Sequence, residues 1–161
     1  MQLESVDGTR FEFTPIAYQF PDLRRRDARA WEFDANWLVV RGKLDLPDGR
    51  SHAFEDPCLL VGEALGLSAW LDVVAISAFR GDLEDGYDYA PMEPCLYFRY
   101  EGTSGRLVAI RLYLSAEAES PFVVAGRSGN QQNYTPMKLA PEALQAAADE
   151  WRQELSAFPP R

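Results

Sequence analysis

The sequence predicts an α+β domain in which an antiparallel β-sheet, built from several hairpins, packs with one central helix and one C-terminal helix. Three observations carry this. Alternation with a period of two recurs in residues 11–14, 38–46, 96–100 and 108–114. A period near 3.6 occurs only in residues 60–74 and 144–155. Turn signatures, Asp7-Gly8, Pro47-Asp48-Gly49 and Gly102-Thr103-Ser104-Gly105, fall between the alternating segments. No strand–helix–strand alternation appears, which excludes a parallel doubly wound sheet. A length of 161 residues, with 47% hydrophobic and 25% charged residues, fits one domain over 1–161 with a core that needs no disulfide.

In the first hairpin, Phe11 and Phe13 share one face while Glu12 and Thr14 take the other. Residues 23–30 carry Arg24, Arg25, Arg26 and Arg29 with almost nothing apolar to bury, so they read as a loop whose charge offsets nearby carboxylates. In the second hairpin, Leu38, Val40, Gly42, Leu44 and Leu46 form the inner face, and residues 51–55 return as a short strand. Asp56 then fits a helix N-cap, with Pro57 at the first helical position. Leu60, Ala64, Leu67 and Leu71 form the apolar stripe of that helix, flanked by Val61 and Val74, and Gly66 and Ser68 are points where it could break in two. Residues 76–80 fit either the helix tail or a short strand.

The third hairpin places Leu96, Phe98 and Tyr100 opposite Val108, Ile110, Leu112 and Leu114. Residues 121–125 and 134–139 read as further strands around a polar loop at 126–133. Pro141, Glu142 and the stripe Leu144, Ala147, Ala148, Trp151, Leu155 predict an amphipathic helix that ends before Pro159-Pro160.

Sixteen Lys and Arg against twenty-five Asp and Glu give a net charge of −9, which argues against nucleic acid as a partner. No secretory signal pattern precedes the first strand, and the longest apolar run, 58–75, is interrupted by Glu63 and Asp72, so a cytoplasmic chain that does not enter a membrane is expected. Cys58 and Cys95 sit among apolar residues and are expected to be buried, unpaired thiols.

Catalytic constellations are not evident. His52, the single histidine, lies in the predicted return strand without a Ser or Cys nucleophile in a recognisable setting, and reads as an ordinary surface or edge residue. The two cysteines lack the spacing of a zinc clip, the glycines form no phosphate loop, and the acids of residues 82–93 do not follow the EF-hand order, so no cofactor or metal is expected. No carboxylate pair is singled out as glycosidase machinery. Trp70 and Trp151 fall at core spacing, Trp37 reads as cover for a sheet edge, and a sugar platform at Trp31 or Trp37 is the sharper alternative.

Residues 81–94 stand apart. Asp82, Glu84, Asp85, Asp88 and Glu93 follow one another with no Lys or Arg between them, interleaved with Tyr87, Tyr89 and Met92. Carboxylates attract basic surfaces and Tyr supplies rigid contact area, so Asp82, Glu84, Asp85, Tyr87, Asp88 and Tyr89 are the predicted binding residues for a basic protein partner. A solvated acidic loop is the plainer reading of the same residues.

Three groups of residues resemble a known family. They are Leu3-Glu4-Ser5 with Tyr18-Gln19-Phe20-Pro21; Asp34-Ala35-Asn36-Trp37-Leu38-Val39-Val40 with Asp56-Pro57-Cys58-Leu59-Leu60 and Trp70-Leu71; and Glu154-Leu155-Ser156-Ala157-Phe158-Pro159-Pro160-Arg161. Together they resemble the bacterial WapI-type immunity proteins, which protect a cell from the toxin domain of its own polymorphic or contact-dependent toxins. The resemblance spans most of the chain and implies inhibition by binding a cognate toxin domain, with no catalytic residue to carry over. The acidic stretch 82–93 and the polar loop 126–133 depart from the family pattern, where a toxin-specific surface would vary. An acidic inhibitor suits a basic nuclease, whose phosphate sites its carboxylates can occupy. Two other classes compete: a small enzyme or ligand-binding domain with a pocket between the sheet and the 57–75 helix, and a plain accessory or oligomerising domain.

Overall fold

The computed structural model describes residues 1–23, 34–122 and 133–161. The Arg24–Arg29 cluster, Trp31 and most of the 126–133 loop lie outside the described residues.

The first two hairpins form one sheet. Strands β1 (Gln2–Glu4) and β2 (Arg10–Tyr18) flank the Asp7-Gly8 turn, where Gly8 takes φ +91° and its N–H bonds the Ser5 carbonyl at 2.9 Å. Strand β2 pairs with β3 (Trp37–Asp45), and β3 with β4 (Ser51–Leu60), giving the antiparallel order β1-β2-β3-β4. The inner face of β3 is as predicted, with Leu38, Val40, Gly42, Leu44 and Leu46 buried.

The expected helix start at Asp56-Pro57 is overturned. Strand β4 runs on through Leu60, because Asp56 pairs with Val40 and Pro57 with Val39, and sheet pairing holds the backbone extended. Pro57 is tolerated there because β4 is an edge strand and a bulge follows immediately at Cys58. Helix α1 (Val61–Arg80) begins with Leu60 as N-cap, and Glu63 reaches back to accept the Leu60 N–H at 2.9 Å. Gly66 and Ser68 do not break it, and residues 76–80 are its last turn. It stops at Gly81, in the left-handed conformation at φ +67°, whose N–H bonds the Ser77 carbonyl.

The second sheet has the order β5-β6-β7-β8, from β5 (Asp88–Tyr89), β6 (Leu96–Ser104), β7 (Leu107–Leu114) and β8 (Thr135–Leu139). All its pairs are antiparallel. Residues 121 and 122 are not in a strand, and 123–125 lie outside the described residues. Helix α2 (Pro141–Leu155) starts with Pro141 at its first position, as predicted, and buries Leu144, Ala147, Ala148, Trp151 and Leu155.

There are thus two four-stranded sheets rather than one. The 20-residue α1 separates β4 from β5, so the chain starts a new set of pairings instead of extending the first sheet. The sheets share one core: the rings of Phe11 and Phe98 meet at 6.2 Å, and Val6 N–H bonds the Lys138 carbonyl at 2.9 Å where the sheets touch. Trp151 locks α2 into that core by stacking on Phe13 at 5.2 Å and donating its indole N–H to the Ala64 carbonyl of α1 at 2.7 Å. By length and composition α1 could cross a bilayer, and half of its apolar window is buried in this fold.

Candidate partner-binding surface

Helical periodicity divides α1 into faces. Ala64, Leu67, Leu71, Val74 and Ala75 point inward. On the opposite side Leu65, Val73, Ile76 and Phe79 are exposed, Phe79 at 67%, and at intervals of three to eight residues they make one apolar stripe along the helix. One flank of the stripe meets α2, where Arg152 holds Asp72.

The acidic segment forms the other flank. Leaving α1 at Gly81, it is fastened to β6 by Gly86 N–H to the Tyr100 carbonyl (2.7 Å) and Tyr100 N–H to the Tyr87 carbonyl (2.9 Å). It then runs back along α1 to its first turn. There the Tyr89 hydroxyl donates to the Glu63 carbonyl at 3.1 Å, and the Met92 N–H to a Glu63 carboxylate oxygen at 2.6 Å. Glu63 therefore caps the helix and anchors the loop with its two carboxylate oxygens.

The six predicted binding residues divide on the structure. Asp82, Glu84 and Asp85 are exposed and make no ion pair among the described residues. Asp88 is exposed but sits 3.5 Å from Arg99 on β6. Tyr87 is 40% exposed and lies parallel to the Trp70 ring at 6.5 Å. Tyr89 turns inward, with 8% exposure, against Phe98; burial and then the nearby Glu63 carboxylate push its phenol well above the usual range. Its ring is packing, and it offers a partner no surface. The apolar stripe on α1 was missed because residues 65, 73, 76 and 79 are legible as exposed only once the buried side of the helix is known.

His52 is half-buried on edge strand β4 with Nε2 3.1 Å from the Ala118 carbonyl, and makes no hydrogen bond to a Ser or Cys among the described residues. Trp70 and Trp151 are core residues. Trp37 is half-buried and, with Asp34, Asp56, Pro57, Glu93 and Glu117, lines an open acidic cleft of about 410 Å³. That cleft lies at the end of the β3–β4 pair, away from the expected pocket between sheet and helix. At its base the fold joins residues far apart in sequence: a carboxylate oxygen of Asp56 and the sulfurs of Cys58 and Cys95 all lie within 4.8 Å of one another. Both cysteines are buried and free. Desolvation, then the Glu117 charge, raises the Asp56 carboxyl, while contact with Cys95, then burial, raises the Cys58 thiol.

Away from this surface, residues of the three resembling groups meet at Tyr18, Pro21, Asn36, Pro159 and Arg161. The Tyr18 hydroxyl donates to the Pro159 carbonyl at 2.5 Å, and the Arg161 guanidinium lies 3.4 Å over the Tyr18 ring. Arg161 N–H bonds the Asn36 side chain at 2.8 Å, and its guanidinium reaches the Pro21 carbonyl at 3.0 Å. These residues clamp the C-terminus to the start of β3 and build the scaffold. The model of the Immunity protein WapI-like family matches residues 2–159 of the chain. No curated protein matches it.

Proposed function

We propose, from the premise that the chain belongs to the WapI-like immunity protein family, that it neutralises a basic toxin domain by covering it with the outer face of α1 and the acidic loop beside it. The family implies a toxin as partner. The observation that carries the choice of surface is the exposed apolar stripe Leu65, Val73, Ile76, Phe79 on the helix from whose end the exposed acids Asp82, Glu84 and Asp85 follow directly. An apolar centre with a polar rim is the anatomy of a protein interface, and an apolar stripe of this length left open on a helix marks an interaction site. The rim charge and the net charge of −9 favour a basic partner. A nuclease fits this chemistry, because the same carboxylates can stand where its phosphates bind. Neutralisation in this reading is by occlusion in the cytoplasm of the producing cell, with no catalytic step.

The test is co-purification with toxin domains of the source genome, followed by binding kinetics on the complex. Ile76→Ala with Phe79→Ala removes central contacts, and should raise the dissociation rate about 10- to 100-fold. Asp82→Asn, Glu84→Gln and Asp85→Asn together should slow association about tenfold at low salt, with the difference fading as salt screens the charges. Unchanged rates in both variants at low ionic strength would refute this surface.

A further inference from the structure

The cluster at the base of the acidic cleft is built from a repeated tripeptide. Asp56-Pro57-Cys58 and Glu93-Pro94-Cys95 are both acid-Pro-Cys, on segments 37 positions apart in sequence. The first lies in the last half of β4 of one sheet, and the second leads into β6 of the other. A bulge shapes the first: Val39 pairs with Pro57 and Leu38 with Leu59, so Cys58 is the extra residue of β4 and its sulfur turns into the core. The second is held by β7, whose following residue Ser115 donates its N–H to the Cys95 carbonyl at 3.2 Å and its hydroxyl to the Pro94 carbonyl.

We propose that Asp56, Cys58 and Cys95, with Glu93 as fourth ligand, form a site for a thiophilic divalent cation of the zinc class that clips the two sheets together. Three donors are already gathered, with all their ligand atoms within 4.8 Å of one another and Cys95 Sγ 3.7 Å from Asp56 Oδ2. Tetrahedral zinc, with Zn–S about 2.3 Å and Zn–O about 2.1 Å, requires donor separations of about 3.6–3.8 Å. Glu93, whose carboxylate lies outside that group of three, lines the same cleft as Asp56 and closes the fourth position by a side-chain rotation, and the cleft is the route for the ion from solvent. Two soft sulfurs with one or two carboxylates select zinc over calcium or magnesium, which prefer an all-oxygen shell. The carboxylate distinguishes this site from a disulfide pair: a sulfur–sulfur bond would leave Asp56 without a role, whereas a cation uses all three groups. Asp56 also makes no ion pair among the described residues. Binding displaces the two thiol protons to solvent and forms two metal–sulfur bonds, with no oxidant needed.

The experiment titrates the full chain, reduced and stripped by chelator, with Co²⁺ and then Zn²⁺. One equivalent of Co²⁺ should give the near-ultraviolet thiolate charge-transfer band and the intense visible bands of a tetrahedral site, and Zn²⁺ should displace it. At a hundredfold excess over Kd, Zn²⁺ should raise Tm by about 5–10 °C. Asp56→Asn and Cys95→Ser should each weaken binding at least tenfold. Should the serine variant not fold, Asp56→Asn and Glu93→Gln, made at the cleft wall, carry the test, with circular dichroism as the check on fold. No stoichiometric Co²⁺ spectrum from the reduced chain, binding untouched by Asp56→Asn, or a native Cys58–Cys95 disulfide in anaerobically purified protein would each overturn the proposal. None of these outcomes depends on a toxin partner.

Discussion

Two buried tryptophans in the helix layer should respond to different degrees to the same substitution. Trp151 is fully buried, stacks on Phe13 and donates its indole N–H to the Ala64 carbonyl at 2.7 Å. Trp151→Phe therefore loses a buried hydrogen bond worth about 1 kcal/mol and leaves a ring-sized void costing about 1–2 kcal/mol more, for a total of about 2–3 kcal/mol. Trp70 is almost as buried, between Tyr87 and Phe98, yet its indole N–H has no partner among the described residues. Trp70→Phe makes a similar void but removes an unpaired buried donor whose desolvation costs about 1–3 kcal/mol, so its net effect should lie between a gain of about 2 kcal/mol and a loss of about 1 kcal/mol. The difference between the variants, at least about 1 kcal/mol, is the test. Urea unfolding should show a lower midpoint at unchanged slope for Trp151→Phe, and Tm should fall by about 4–12 °C for a domain of this size. Equal destabilisation of the two variants, or a larger loss in Trp70→Phe, would refute the hydrogen-bond accounting.

Two further outcomes are expected. Gly42 faces the core of the first sheet, and a Cβ there would lie 2.2 Å from ring carbons of Phe54, so Gly42→Ala should cost about 1–3 kcal/mol. Phe54→Ala should relieve most of that penalty, giving a double-mutant coupling of at least about 1 kcal/mol by urea unfolding, and additivity would exclude the clash. The Tyr97 phenol is pushed up to about 12 by partial burial and then by its hydrogen bond to Asp88. Because the folded value is above the unfolded one of about 10, the native state keeps the proton longer; this contribution is complete below pH 10 and lost as pH rises through about 12. Tyr97→Phe should flatten the stability decline in that alkaline window, and a profile parallel to the parent chain would contradict the assignment.

Most of the fold was legible where periodicity and turn chemistry agree. Phe11 and Phe13, Leu38 to Leu46, Leu96 to Tyr100 and the stripe from Leu144 to Leu155 all bury the faces that their spacing predicts. The helix start was misread at Asp56-Pro57 because capping preference is local and weak, whereas pairing of those residues with Val40 and Val39 is set by a strand they do not neighbour in sequence. The acidic loop was recognised as a candidate site from composition, but Tyr87 and Tyr89 were indistinguishable there. Alternation along a loop does not say which ring faces Trp70 at the surface and which turns in against Phe98.

By itself the sequence determined an acidic α+β domain, its family, its hairpins and its C-terminal helix, because local spacing, turn residues and charge count are properties of short stretches read in order. Only the tertiary structure decided that the strands divide into two sheets, that α1 leaves an apolar stripe uncovered beside the acidic loop, and that Asp56, Cys58 and Cys95 meet. Each of these depends on contacts between segments separated by α1 or by whole hairpins, and the energy of such contacts comes from burial shared between elements, which no single stretch of chain encodes.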